Sequence, residues 1–406
     1  MARDWVIRGG AVVTPDKVID DGAVVVRKGR IAYVGPAKEL PTVLTEPDGH
    51  ERFPTARLGE IDAQGRIVAP GYVDVHVHGG GHADTMDGTV EAIARIAEVH
   101  AAHGTAVLLP TTMTVGREEI VAATRAVKEA MVASAASDWG GARVLGMHME
   151  GPYIHPNMIG AQHPKHVRPA DMDELREIYD ILEGGLRLVT LAPEVEGNLD
   201  AVRWLYERGV AVSMGHTAAT YDQAIEAIEQ GVRHATHSYN AMTGLHHRNP
   251  GVVGALLTDR RVYAELIADG IHVHPAAMAV LAQAKGPERL CLITDAMEAM
   301  GMPDGVYELG GQAVILKDGE CRLESGSLAG SVLSMDRAVA NMVKLVGVDL
   351  VSAVRMASLT PAESVGLGGS RGSLTVGKYG DVVLLDSNSL LCTATMVEGR
   401  IVYRAA

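Results

Sequence analysis

Apolar positions in this chain show two textures. From about residue 66 to 365, short apolar runs alternate with longer stretches of helical spacing. The strand-like runs fall at 72–78, 105–110, 143–150, 186–192, 209–216, 233–239, 263–268 and 289–294. Among the intervening stretches, Thr89 to Ala102 carries apolar residues at helical spacing and stops at His103-Gly104. Arg117 to Ala135 predicts a second helix. Asp171 to Leu182 opens on acids, as the helix dipole favours, and closes before Gly184-Gly185. Thr220 is placed to cap a helix over Tyr221 to Gly231. Eight strands separated by helices predict a parallel sheet, and eight is the number that closes a barrel.

The two ends read differently. Trp5–Val13, Gly22–Val26 and Arg30–Gly35 are β-branched runs, with a hairpin turn predicted at Lys28-Gly29. Residues 36–64 are polar, Pro-rich and irregular, and the β texture returns at Gly380–Asp386 and Thr393–Tyr403. The expectation is a (β/α)8 TIM-like barrel over 66–365 and a small β-sandwich domain formed by both termini, 1–65 and 366–406. Residues 306–325, opening with the run Val306–Leu316, break the barrel rhythm and predict a hairpin inserted after the eighth strand.

With 406 residues, 47% apolar and 21% charged, the chain has a globular balance and room for a barrel plus a smaller unit. A net charge of −14 leaves no basic footprint for nucleic acid or an anionic membrane. Cys291, Cys321 and Cys392 are far apart and odd in number, which fits buried thiols in a reducing compartment. No secretory leader or membrane-length apolar run is evident, so a soluble cytoplasmic protein is expected.

The polar residues that end the apolar runs carry the chemistry. His76 and His78, two apart on the first strand, point to one face. Glu150 ends the third run, His216 the fifth, His237 the sixth and Asp295 the eighth. A lone HxH is weak, and a lone buried histidine is an ordinary core residue. A carboxylate inside a barrel, however, is costly unless paired or coordinated. Six such residues at five separate strand ends together predict a divalent metal at the barrel mouth. Asp295 could alternatively cap a following helix; beside an activated water it could take a proton and return it to a departing amine. His246-His247-Arg248 and His272 form a basic cluster after the sixth and seventh runs, suited to an anion or simply to solvent. The stretch Lys165, His166 and Arg168 reads as solvated charge, while His163 lies on the loop that follows Glu150.

The segments Asp74–Gly79, Met149–Pro152, Gly215–Thr217, Thr236–Met242, His247–Gly251, Ile267–His272 and Ile293–Met297 resemble the amidohydrolase superfamily, and within it the N-acetylglucosamine-6-phosphate deacetylase family. HxH alone marks only the superfamily; the spacing of His237 through His272 points to the sugar-phosphate branch. The resemblance implies that Glu150, His216 and His237 hold the principal metal, with a second ion at His76 and His78 bridged by Glu150. Zinc and iron both suit such ligands. It further implies Asp295 as general base then acid, and His163 polarising the acetyl carbonyl or orienting the sugar. Arg248 and His272, with Asn240 and Ala241, would meet the 6-phosphate, part of that pocket coming from the partner in a homodimer. The absence of an obvious carboxylated lysine separates the chain from the dihydroorotase and urease branches. The implied reaction is hydrolysis of the N-acetyl group of N-acetylglucosamine 6-phosphate to glucosamine 6-phosphate and acetate. A galactosamine epimer, an N-acyl amino acid, or a non-catalytic scaffold are the alternatives.

Overall fold

The computed structural model describes residues 4–45 and 52–405. Eight barrel strands follow one another: β1 (Tyr72–Val77), β2 (Thr105–Thr112), β3 (Met147–Glu150), β4 (Leu186–Leu191), β5 (Ala211–Met214), β6 (His234–Ala235), β7 (Tyr263–Ile267) and β8 (Leu290–Ile293). Each pairs in parallel with the next. The chain beyond β8 closes the ring onto β1: Val77 bridges Ala296, and the Asp295 amide donates to the His76 carbonyl at 2.9 Å. Every residue of β1, β2, β3 and β8 is buried, so neither face of these strands is left to solvent, and the polar residues within them, Asp74, His76, His148 and Glu150 among them, are buried too.

The crossovers carry the predicted helices: α1 (Val90–Ala101), α2 (Arg117–Ala133), α3 (Met172–Leu182) and α4 (Tyr221–Gln230). Thr89 and Asp171 cap α1 and α3 through side-chain oxygens that accept from backbone amides, and Gly104 stands at φ +90° where the chain turns into β2. Helix α2 stops two residues short of the expected end, at Ala133, with Ser134 as its C-cap.

Strands from both chain ends lie in one eight-stranded sheet. Val382–Leu385 runs antiparallel to Ile67–Pro70, which is parallel to Trp5–Val13; the hairpin at Lys28-Gly29 is present. Short strands at Val43–Thr45, Arg52–Pro54 and Gly59–Asp62 occupy the stretch that reads as irregular. The insertion after β8 is larger than one hairpin. Gly305–Leu309, Gln312–Lys317 and Glu320–Leu323 make a three-stranded antiparallel sheet, fastened to the loop after β3 where Gln312 Nε2 donates to the Ala161 carbonyl at 2.6 Å. Among the described residues no helix is long and apolar enough to cross a membrane.

Candidate metal centre and substrate cavity

The strand ends bring the predicted side chains to one point. His76 comes from β1 and His78 from the residue just after it, Glu150 from the end of β3, and His216, His237 and Asp295 from the turns after β5, β6 and β8. Those last three residues sit at φ +47°, +29° and +49°. The left-handed turn directs each side chain back over the barrel mouth, a costly backbone state that the surrounding barrel holds in place. Gly215 lets the turn that carries the first of them pack directly against Thr236, since a Cβ there would lie 2.6 Å from Thr236 Cβ.

Two triads of ligand atoms result, His76–His78–Asp295 and Glu150–His216–His237, each with its ligand atoms within 4.8 Å of one another. Glu150 spans both, with Oε1 3.2 Å from His216 Nε2 and 3.1 Å from His237 Nε2, and Oε2 3.3 Å from His78 Nε2. Asp295 Oδ1 lies 3.2 Å from His78 Nε2 and 3.5 Å from His76 Nε2. The imidazoles also face one another, at 3.3 Å between the Nε2 atoms of His76 and His78 and 3.0 Å between those of His216 and His237.

Those spacings fit a metal ion. Ligands 2.0–2.1 Å from a tetrahedral zinc stand about 3.3 Å apart. The outer nitrogens agree: His76 Nδ1 lies 3.0 Å from Glu265 Oε2, His78 Nδ1 3.2 Å from the Thr111 carbonyl and His216 Nδ1 2.8 Å from the Met158 carbonyl. Rings that donate there can present bare Nε2 lone pairs inward, and such facing lone pairs are matched by a cation between them. Charge makes the same demand. Burial opposes a proton on His76 and His78, yet the Asp295 and Glu150 carboxylates hold His76 well above its ordinary value and His78 at about 9. Burial likewise opposes ionisation of Glu150 and Asp295, but His76 and the other imidazoles hold both below the usual carboxylate range. The centre is built around positive charge.

Beside it lies a cavity of about 400 Å³ whose lining includes Glu150, His216, His237, Asp295, Asn240, Ala241 and His272. His272 is held by Asp269, whose Oδ2 is 2.6 Å from its Nδ1. Two predicted residues are not brought there. His163 caps a short 3-10 turn, its Nδ1 accepting from the Lys165 amide at 3.2 Å, and faces a neighbouring cavity with His166. Its neighbour Gln162 points inward instead and donates from Nε2 to Glu150 Oε2 at 2.8 Å. Arg248 is exposed on its loop, 2.9 Å from His247 Nε2. The cation that does line the cavity is Arg322, on the inserted sheet, tied to Glu320 at 2.7 Å. Arg168, read as solvated, pairs with buried Glu174 at 2.7 Å.

Sequence reasoning passed over Gln162, Arg322 and Glu265. The last had a signal: an acid in the middle of the apolar run Tyr263-Ala-Glu-Leu-Ile267 must find a buried partner.

Residues 67–402 match the amidohydrolase family. The chain belongs to that family. It is 43% identical over 382 residues to the N-acetylgalactosamine-6-phosphate deacetylase of Escherichia coli O157:H7, covering 94% of this chain and 95% of that one. It is 36% identical over 388 residues to the N-acetylglucosamine-6-phosphate deacetylase of Bacillus subtilis (strain 168), covering 96% and 94%. Among solved structures, an aspartate-to-alanine variant of N-acetyl-D-glucosamine-6-phosphate deacetylase from Mycobacterium smegmatis, in complex with N-acetyl-D-glucosamine-6-phosphate, superposes with a TM-score of 0.89 at 34% identity, covering 98% of this chain and 99% of that one.

Proposed function

We propose that this amidohydrolase removes the N-acetyl group of N-acetylglucosamine 6-phosphate, releasing glucosamine 6-phosphate and acetate. The observation that carries the reading is the ionised Asp295 carboxylate standing at once on the ligand cluster and on the wall of a cavity of about 400 Å³. Glu150, His216 and His237 would hold the principal divalent ion, and His76 and His78 a second; imidazole and carboxylate ligands make zinc the first candidate and iron the next. When bound, the ion supplies a Lewis acid for the amide carbonyl and for the attacking water.

Asp295 takes a proton from that water as its oxygen bonds to the acetyl carbon, and returns it to the nitrogen as the C–N bond breaks. Gln162 keeps Glu150 oriented through its 2.8 Å bond. Asn240, Ala241 and His272 line the cavity where the rest of the sugar phosphate would lie. Arg248, exposed on its loop, suits a role in completing the phosphate site of a partner subunit, so the proposal includes a homodimer that light scattering would detect. The 43% identity to an N-acetylgalactosamine-6-phosphate deacetylase supports a second reading, in which the galactosamine epimer is the preferred substrate.

Acetate release from both phosphorylated epimers and from plain N-acetylglucosamine, before and after chelation, tests the reading. Fast, chelator-sensitive release confined to phosphorylated sugars is expected, and the ratio between the epimers selects the substrate. No release from metal-replete protein on any of them would overturn it.

A further inference from the structure

Glu265 neither lines the cavity nor belongs to a ligand triad, yet its fully buried carboxylate is aimed at the centre. Its Oε2 accepts twice, from the His76 ring through Nδ1 at 3.0 Å and from the His237 backbone amide at 3.2 Å. Its Oε1 lies 3.3 Å from His234 Nδ1. One oxygen on β7 therefore holds a ring from β1 and the backbone of a ligand from the turn after β6.

The other rings are held differently. His78 and His216 donate to neutral backbone carbonyls, those of Thr111 and Met158, and His237 Nδ1 has no hydrogen-bond partner among the described residues. Among the described residues, only His76 of these four rings is backed by a carboxylate at its outer nitrogen. A carboxylate behind a ligating imidazole fixes the tautomer, stops the ring rotating and makes the inner nitrogen a stronger donor. Without Glu265, His76 Nε2 would have no reason to be the bare nitrogen.

We infer that Glu265 is a positioning residue that turns His76, His78 and Asp295 into a metal site of its own: through the His76 ring it governs occupancy of this triad, while it meets Glu150–His216–His237 only at the His237 backbone amide, a bond that a neutral side-chain oxygen can equally accept. The inference rests on the metal-centre reading above and adds to it a residue outside both triads. Replacing an outer partner of this kind typically weakens metal binding about 10–100-fold.

The test is Zn²⁺ binding to metal-depleted protein, with affinities from chelator competition and stoichiometry from elemental analysis. Wild-type protein is expected to take two ions per subunit. Glu265→Gln keeps the shape and can still accept from both donors, so the fold should survive, but one of the two ions should bind about 10–100-fold more weakly. Glu265→Asp, which keeps the charge but draws it back, should show a smaller loss at the same ion and serves if the glutamine variant does not fold. A merely structural role is separated by a double-mutant cycle: Glu265→Gln added to His76→Gln should cost no further affinity. Unchanged affinities in the Glu265 variants, or a single wild-type ion indifferent to His78→Ala, would overturn the inference while leaving chelator-sensitive acetate release intact. No Zn²⁺ bound at all would remove the metal reading together with it.

Discussion

Asp295 is the residue to which the proposed reaction gives the proton. It is buried, ionised against the His76 and His78 rings, and exposed on one side to the cavity. Asp295→Asn should keep the Glu150 ion, read by elemental analysis, and lose about 10²–10⁴-fold in kcat, as removal of a general acid–base usually does. Arg322 is a different kind of residue. It is the one arginine or lysine among the described cavity-lining residues, and a hydrogen bond to a charged group contributes about 1.5–3 kcal/mol. Arg322→Ala should therefore raise KM for the phosphorylated sugar about 10–100-fold, leave kcat nearly unchanged, and spare the plain sugar. At this scale the sequence displayed residue type and strand-end position, enough to mark His76, His78, Glu150, His216, His237 and Asp295. It could not display which way a loop side chain turns. His163 and Gln162 are neighbours on one loop, and only the folded backbone decides that the glutamine faces the centre.

The barrel strands and their capped helices are legible because burial and hydrogen bonding act over a few consecutive residues. Thr220 makes the point: its Oγ1 accepts from the Gln223 backbone amide at 3.3 Å, and its own backbone amide donates to Gln223 Oε1 at 2.9 Å. Thr220→Ala should cost about 1 kcal/mol, read as a lower urea midpoint with an unchanged slope. The inserted sheet is harder to read. Its third strand, Glu-Cys-Arg-Leu at 320–323, has only four residues and turns just Cys321 and Leu323 toward the core, so no apolar run announces it. Its anchor, the bond from Gln312 Nε2 to the Ala161 carbonyl, joins residues 151 positions apart. Gln312→Ala should leave the barrel folded, raise KM and speed proteolytic cleavage within 305–323, because the sheet that carries Arg322 and Leu309 to the cavity loses its tether.

The whole molecule couples metal, pH and stability. Ions that bind only the folded centre stabilise it by about 4 kcal/mol at a thousandfold excess over Kd, so chelation should lower the melting temperature measurably by scanning calorimetry. Acid acts partly through His100, which is fully buried under the barrel mouth with Nε2 donating to the Gly79 carbonyl at 3.0 Å. Burial pushes its imidazole down to about 4, against an ordinary 6.5. The unfolded chain takes up the proton first, so the stability contributed is complete above about 6.5 and is lost as pH falls through 4. In the presence of chelator, His100→Gln should flatten the fall of unfolding free energy between those values; an unchanged slope would show that the acid sensitivity lies elsewhere.

Alone, the sequence determined the alternation of buried strands and amphipathic helices, and with it a barrel whose strand ends present imidazoles and carboxylates. These are properties of neighbouring residues: burial on both faces, period, caps and position along a strand. Tertiary structure decided what depends on distance across the chain. It set two triads sharing Glu150, placed Glu265 of β7 behind His76 of β1, and put Arg322 rather than Arg248 on the cavity wall. The physical reason is that a metal site and an anion site are defined by separations of a few ångströms between strands that are far apart in sequence, and only closure of the barrel fixes those separations.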